Sequence, residues 1–125
     1  MALEAVIHIV EDDEAVRDAL RLLFETEGLA SKTYPSAEAF FDEGAPAEPG
    51  CVVTDVHMAG MGGLQLLRRL KSLGSDQPVV VMTGRADRAL AAEALGAGAA
   101  AFVEKPFHAD EIIAAVRAAI SGSGR

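Results

Sequence analysis

The strongest constraint on this chain is the way its short apolar runs end. Ile7-His8-Ile9-Val10 stops at Glu11-Asp12-Asp13, Cys51-Val52-Val53-Thr54 stops at Asp55, and Ala99-Ala100-Ala101-Phe102-Val103 stops at Glu104-Lys105-Pro106. Short β-branched runs that alternate with helical segments read as parallel strands, and ligands of such sheets bind in the crevice beyond the strands' carboxyl ends. If these runs are neighbours, several carboxylates and one ammonium share a single crevice. Crowded carboxylates repel one another unless a cation or a proton relieves them. The pattern therefore points to a divalent metal and to a lysine placed for an anion.

The remaining segments complete five strand–helix repeats. The first strand spans about Ala5 to Val10, and a helix from about Glu14 to Glu27 carries the stripe Val16, Leu20, Leu23 and Phe24 before Gly28 ends it. Ala30 to Tyr34 alternates in polarity and reads as an edge strand. Ser36 caps a short helix to Asp42, and Glu43 to Gly50 is a Pro- and Gly-containing loop. Cys51 to Asp55 is continuous and apolar, hence central. Leu64, Leu67, Leu70 and Leu73 mark a third helix ending at Gly74, and Pro78 to Met82 is the fourth strand. An Ala-rich helix from Arg88 to Ala97 closes at Gly96 or Gly98, Ala99 to Val103 is the fifth strand, and the last helix runs from about Ala109 to Ser121. Such a rhythm gives a doubly wound α/β fold with helices on both sheet faces. We expect one domain over 1–121, with 122–125 as a flexible tail or the start of a linker.

Composition narrows the function classes. The chain has 125 residues and a formal net charge of -8, which opposes direct binding to nucleic acid or to an anionic membrane. No apolar run approaches the roughly 20 residues of a membrane-spanning helix, and the first residues show no signal-peptide pattern. The single cysteine, Cys51, opens an apolar strand; a buried role and a reducing, cytoplasmic setting are expected.

Each ionisable strand-end residue has two readings. Asp55 faces the flexible loop Val56 to Gly63 and can serve as a covalent nucleophile towards phosphorus, or merely cap a turn. Asp13 and Glu14 are explained by the positive end of a helix dipole. Glu11 and Asp12 sit at the strand end itself and, with Asp55, offer oxygen ligands for Mg²⁺. Thr83, followed by Gly84, can donate its hydroxyl to a phosphoryl oxygen or simply end a strand. Lys105 is a suitable point charge for phosphate or an ordinary surface lysine, and a cis Lys105-Pro106 bond is open to it. No single signal is specific; their joint placement, each at the carboxyl end of a different strand, is much stronger evidence.

That pattern, an acidic pair after the first strand, Asp55 after the third, Thr83 after the fourth and Lys105-Pro106 after the fifth, resembles the receiver domain of bacterial two-component response regulators. The resemblance covers about Val6 to Ile120. The stretches Ser36-Ala37-Glu38-Ala39-Phe40 and Val103-Glu104-Lys105-Pro106-Phe107 are most similar to the nitrogen-fixation type of transcriptional response regulator. The resemblance implies a flavodoxin-like sheet of order 2-1-3-4-5. It implies that Asp55 accepts a phosphoryl group from the phosphohistidine of a sensor histidine kinase or histidine phosphotransfer protein. It also implies a Mg²⁺ site, with Mn²⁺ as a substitute, formed by Asp12, Asp55, the backbone carbonyl of His57 and, through water, Glu11. Lys105 would pair with the aspartate or its phosphate, Thr83 would swing towards the phosphoryl oxygens, and Phe102 would rotate inward. The surface of the fourth helix and fifth strand would then change and promote a homodimer or bind an output partner. The domain would phosphorylate and slowly dephosphorylate itself without being a turnover enzyme. Ala59 stands where the family usually has Pro, Phe102 lacks the hydroxyl of a common Tyr, and His57 and Arg85 occupy variable positions.

A haloacid-dehalogenase-like phosphatase would also use a strand-end Asp with Mg²⁺, but it needs a second Asp two residues on, where this chain has His57. Gly96-Ala97-Gly98 loosely mimics a dinucleotide fingerprint, yet it precedes a strand instead of following one. A pure scaffold would not require Asp12, Asp55 and Lys105 to converge. His8 and His108 carry no ligand spacing.

Overall fold

A computed structural model of the chain describes residues 5–47, 49–84, 88–106 and 108–123. Five strands form one parallel sheet in the order β2-β1-β3-β4-β5, where β1 is Val6–Val10, β2 Ser31–Tyr34, β3 Gly50–Asp55, β4 Val79–Thr83 and β5 Ala101–Glu104. The expected 2-1-3-4-5 flavodoxin-like α/β arrangement is therefore the observed one, with the alternating strand at the edge and the Cys51–Asp55 run at the centre. The helices are α1 (Glu14–Thr26), α2 (Ala37–Asp42), α3 (Gly63–Ser72), α4 (Arg88–Gly96) and α5 (Ala109–Ser123).

Alternate residues of each strand face opposite cores. Ile7, Ile9, Cys51, Val53, Val80, Met82 and Val103 pack against Leu20 and Phe24 of α1 and against Ile112 and Val116 of α5. On the other face Val10, Val52, Val79 and Val81 pack against Phe40, Leu66, Leu67, Leu70 and Ala94 from α2, α3 and α4. Both faces of the central strands are thus covered, which is why those strands are continuously apolar. Cys51 is fully buried, and burial pushes its thiol up to about 12, so it is an inert core residue.

Local signals set most helix ends. Asp13 caps α1 by accepting from Ala15 N and Val16 N, and Ser36 caps α2 by accepting from Ala39 N. Gly28 follows the end of α1 at φ 75°, the left-handed conformation that favours glycine.

Several boundaries differ from the expectation. The Glu43–Gly50 loop contains a short 3-10 helix, Ala45–Ala47, whose carbonyls at Ala45 and Pro46 accept from buried Gln77 Nε2. In α3 the buried stripe is Leu66, Leu67 and Leu70, whereas Leu73 is 59% exposed. A one-residue offset moves a side chain about 100° round a helix, so the evenly spaced leucines misplace the stripe. β5 starts two residues later than expected because Gly98 (φ 110°) and the Ala99 N to Ala94 O bond belong to the turn closing α4. α5 continues to Ser123, two residues past its expected end, and so takes up the first two residues of the expected tail. Gly124, Arg125, Arg85 and Phe107 lie outside the described residues. Among the described residues no helix is long and apolar enough to cross a membrane.

Candidate phosphorylation site

Parallel pairing levels the strand ends. Val10 pairs with Thr54, Asp55 with Met82, and Thr83 with Glu104. Glu11, Asp55, Thr83 and Lys105 consequently sit within about one residue of a common rim, at the carboxyl end of the sheet. All four were singled out in the sequence, and the structure brings them together.

Asp55 is the centre. It is 9% exposed, deep enough to be shielded yet open to a small group. His57 N donates to its Oδ1 at 3.1 Å, and Lys105 Nζ donates to its Oδ2. The Lys105-Pro106 peptide bond is cis, as the sequence left open. Lys105 Nζ also lies 3.9 Å from Glu11 Oε1. Partial burial works against the ammonium, but the hydrogen bond and charge of Asp55, helped by Glu11, outweigh it and hold the lysine above its ordinary pKa.

Glu11 is 1% exposed, with Oε2 accepting from Asp13 N at 3.0 Å and Oε1 without a hydrogen-bond partner. Burial raises its pKa to about 7, with the neighbouring charge of Asp55 adding to the shift. Asp12 differs: it is exposed, and its pKa is lowered, chiefly because Ala59 N donates to its Oδ2 at 3.0 Å. A hard cation fits this donor set. Mg²⁺ prefers one or two carboxylates and keeps several waters, and the orphaned Glu11 oxygen is a buried acceptor that such a cation or its water would satisfy. Among the described residues no three His, Cys, Asp or Glu side chains are grouped so as to hold a metal ion by themselves; an ion at the rim would need water and a substrate oxygen to complete its coordination.

Thr83 is fully buried at the end of β4, with Oγ1 donating to Gly84 O at 3.1 Å. That weak local bond would have to be given up for the hydroxyl to serve a phosphoryl oxygen. Phe102 is 40% exposed on β5 and turned away from the core. Glu104, beside Lys105, is tied to the start of α4 by Arg88 at 2.7 Å. His57 is exposed at the start of the loop.

Sequence reasoning missed three contributors. Arg17 donates to the Glu11 carbonyl at 2.8 Å and braces the first strand end. The Ala59 amide holds Asp12, and Glu38 on α2 accepts from Met61 N at 3.2 Å. Glu38 left a trace in the sequence inside the Ser36–Phe40 stretch, and Ala59 as a departure from the family's usual proline; Arg17 left none. His8, set aside as lacking ligand spacing, is a core residue: its Nδ1 bonds Tyr34 Oη at 2.9 Å and its ring meets Phe40 edge-on.

Comparison with known proteins agrees with this geometry. Residues 7–117 match the model of the response regulator receiver domain. The chain is 50% identical to the transcriptional regulatory protein FixJ of Azorhizobium caulinodans over 94% of its own length and 56% of the relative's. It is 39% identical to the response regulator protein TmoT of Ectopseudomonas mendocina, over 94% and 53% of the two chains. The chain thus spans little more than half the length of the curated relatives it matches. Among solved structures it superposes on FixJ-N with a TM-score of 0.90 at 40% identity, covering 96% of both chains. On full-length FixJ from B. japonicum the TM-score is 0.92 at 38% identity, covering 98% of this chain and 61% of that one. Fold, rim and relatives agree: the chain belongs to the response-regulator receiver-domain family.

Proposed function

We propose that this domain is a phosphorylation-dependent signalling switch whose acceptor is Asp55. The observation that carries the reading is a single rim where a shielded aspartate is hydrogen-bonded by Lys105 and flanked by Glu11. A carboxylate oxygen of Asp55 would form the new O–P bond as the N–P bond of a donor phosphohistidine breaks, and the leaving imidazole takes up a proton. Phosphoryl transfer needs positioning and charge neutralisation more than covalent help. Lys105 supplies one positive charge; Asp12, Asp55, the His57 carbonyl and, through water, Glu11 would hold Mg²⁺ or Mn²⁺, which supplies the rest when bound. Thr83 would exchange its bond to Gly84 for one to the phosphoryl oxygens. Phe102 would move inward, altering the α4–β5 surface and favouring a homodimer or an output partner.

The donor would be a sensor histidine kinase or a histidine phosphotransfer protein. An apolar groove of about 400 Å³ runs along α1 beside the rim, lined by Ala15, Val16, Ala19, Leu20, Leu23 and Ala109, and offers such a protein a docking face. The acidic charge assigns any contact with nucleic acid to another domain, and we place the switch in the cytoplasm. The receiver would occupy residues 1–121, and transcriptional output would follow from a separate effector. The phosphatase alternative fails on His57, which cannot act as the second carboxylic acid.

Incubation with Mg²⁺ and a small acyl phosphate should add one phosphoryl group that hydroxylamine removes, and Asp55→Asn should prevent it. An unmodified mass, or a modification that survives Asp55→Asn, would overturn the assignment.

A further inference from the structure

The loop between β3 and α3 owes its shape to side-chain oxygens brought from elsewhere. Ala59 N donates to Asp12 Oδ2 at 3.0 Å, Met61 N to Glu38 Oε2 at 3.2 Å, and Gly62 N to Gln65 Oε1 at 3.1 Å. Gln65 belongs to the helix that the loop enters. Asp12 and Glu38 come from separate elements and pin the loop at two points, one on the rim and one on α2.

The second pin is built with care. Glu38 Oε2 lies so close to Gly60 that a Cβ there would sit 2.9 Å away, and Gly60 takes φ 76°. Both the missing side chain and the left-handed backbone of Gly60 make room for the carboxylate. Within the Ser36–Phe40 stretch, Ser36 caps α2 while Ala37 and Phe40 are buried in the core; Glu38 alone is left without a packing role. A favourable helix dipole would explain an acid in the first turn. It would not direct that acid to an amide 23 residues away.

We propose that Glu38 is a positioning residue for phosphorylation, clamping the loop so that Ala59 and His57 stay in register with Asp12 and Asp55. The proposal rests on the receiver reading above. Its physical basis is entropic. Ala59 and Gly60 are exposed and make few packing contacts, so without the clamp the loop samples other conformations. Partners of a ligating carboxylate fix its orientation and strengthen metal binding, and the Ala59 amide performs that office for Asp12 only while the loop is held.

Two variants separate the clamp from a helix-charge effect. Glu38→Ala and Glu38→Gln both remove the charge, but Gln keeps an acceptor oxygen. Amide hydrogen exchange of Ala59 and Met61 is read by NMR without metal, and Mg²⁺ is then titrated. Glu38→Ala should speed exchange at both amides and lower apparent Mg²⁺ affinity by roughly threefold to tenfold, the range of one hydrogen bond, while Glu38→Gln stays within about twofold of the parent. Equal losses in both variants, or unchanged Ala59 exchange and Mg²⁺ affinity in Glu38→Ala, would overturn the clamp. A parent protein that binds no Mg²⁺ would instead overturn the site reading, because the exchange measurement is made without metal.

Discussion

Removing the ammonium from the rim should destabilise the metal-free protein, and by an amount that grows with pH. Lys105→Met keeps most of the stem and deletes the charge. Nζ lies 3.9 Å from Glu11 Oε1 and is hydrogen-bonded to Asp55. A unit pair at that separation is worth ~4 kcal/mol at an effective dielectric of about 20. The lysine side chain is 34% exposed, so solvent screening reduces the net value to about 1–2 kcal/mol. The pH dependence comes from Glu11, whose burial raises its pKa to about 7. A carboxyl raised in the fold costs stability when it ionises: the cost is absent below the ordinary carboxyl range and complete above about pH 7. Lys105 offsets that cost only where Glu11 is charged. Urea unfolding in EDTA should therefore show a Lys105→Met penalty of about 1–2 kcal/mol at pH 8. The penalty should be smaller at pH 5.5, where Glu11 keeps its proton in both proteins and only the Asp55 attraction is lost. Mg²⁺ should shrink the pH 8 penalty by replacing the missing charge. Equal penalties at the two pH values, or a variant more stable than the parent at pH 8, would refute the reasoning.

Two further outcomes test the surface and the core. Ala19→Arg, on the exposed lip of the α1 groove, should slow phosphorylation by the cognate kinase at least tenfold, about 1.4 kcal/mol, while leaving the rate with a small acyl phosphate unchanged; equal rates from the kinase would show that it docks elsewhere. Phe40→Ala removes a fully buried ring that meets His8, Tyr34 and Phe41 edge-on or nearly so. Its cost should be about 3–5 kcal/mol in urea unfolding, and a loss under 1 kcal/mol would mean that neighbouring side chains fill the space.

The fold was legible because its signals are periodic. Runs such as Val79–Met82 are covered on both faces and are therefore apolar at every position, whereas Ser31–Tyr34 at the edge is largely polar and mostly only partly buried. Single residues with one mechanism, Ser36 as a cap and Gly28 in the left-handed region, marked helix ends, whereas Asp13, read only as an acid favoured by the helix dipole, is itself the cap of α1. What misled was a pattern with two solutions. Leucines spaced by three in α3 suit two adjoining stripes, and only contact with β3 and β4 selects Leu66 over Leu73. Ala99 and Ala100 are equally ambiguous, since alanine carries no strand preference: the Ala99 amide turns back to Ala94 O of α4, while the Ala100 amide already donates to Val79 O of β4.

The rim was legible for a related reason: parallel strands bring their carboxyl ends level, so each strand-end side chain is placed once the strand is found. Asp55, Lys105, Glu11 and Thr83 needed no knowledge of the loops. The loop's fastening was hidden because half of each contact is a backbone amide, and an amide leaves no mark in a sequence. Ala59 stands out in the sequence only as a departure from the family's usual proline, yet its N–H is the chief cause that lowers the pKa of Asp12. A proline at that position would have no hydrogen to donate. Seen in this way, the residue that departs from the family pattern is informative through its backbone: Ala59 gives Asp12 a partner that proline could not. The reach of Glu38 was hidden too, for it depends on Gly60 being both small and left-handed. A site of this kind is therefore read in two steps. Charged side chains at strand ends name the chemistry, and hydrogen bonds from loop amides reveal what holds those charges still.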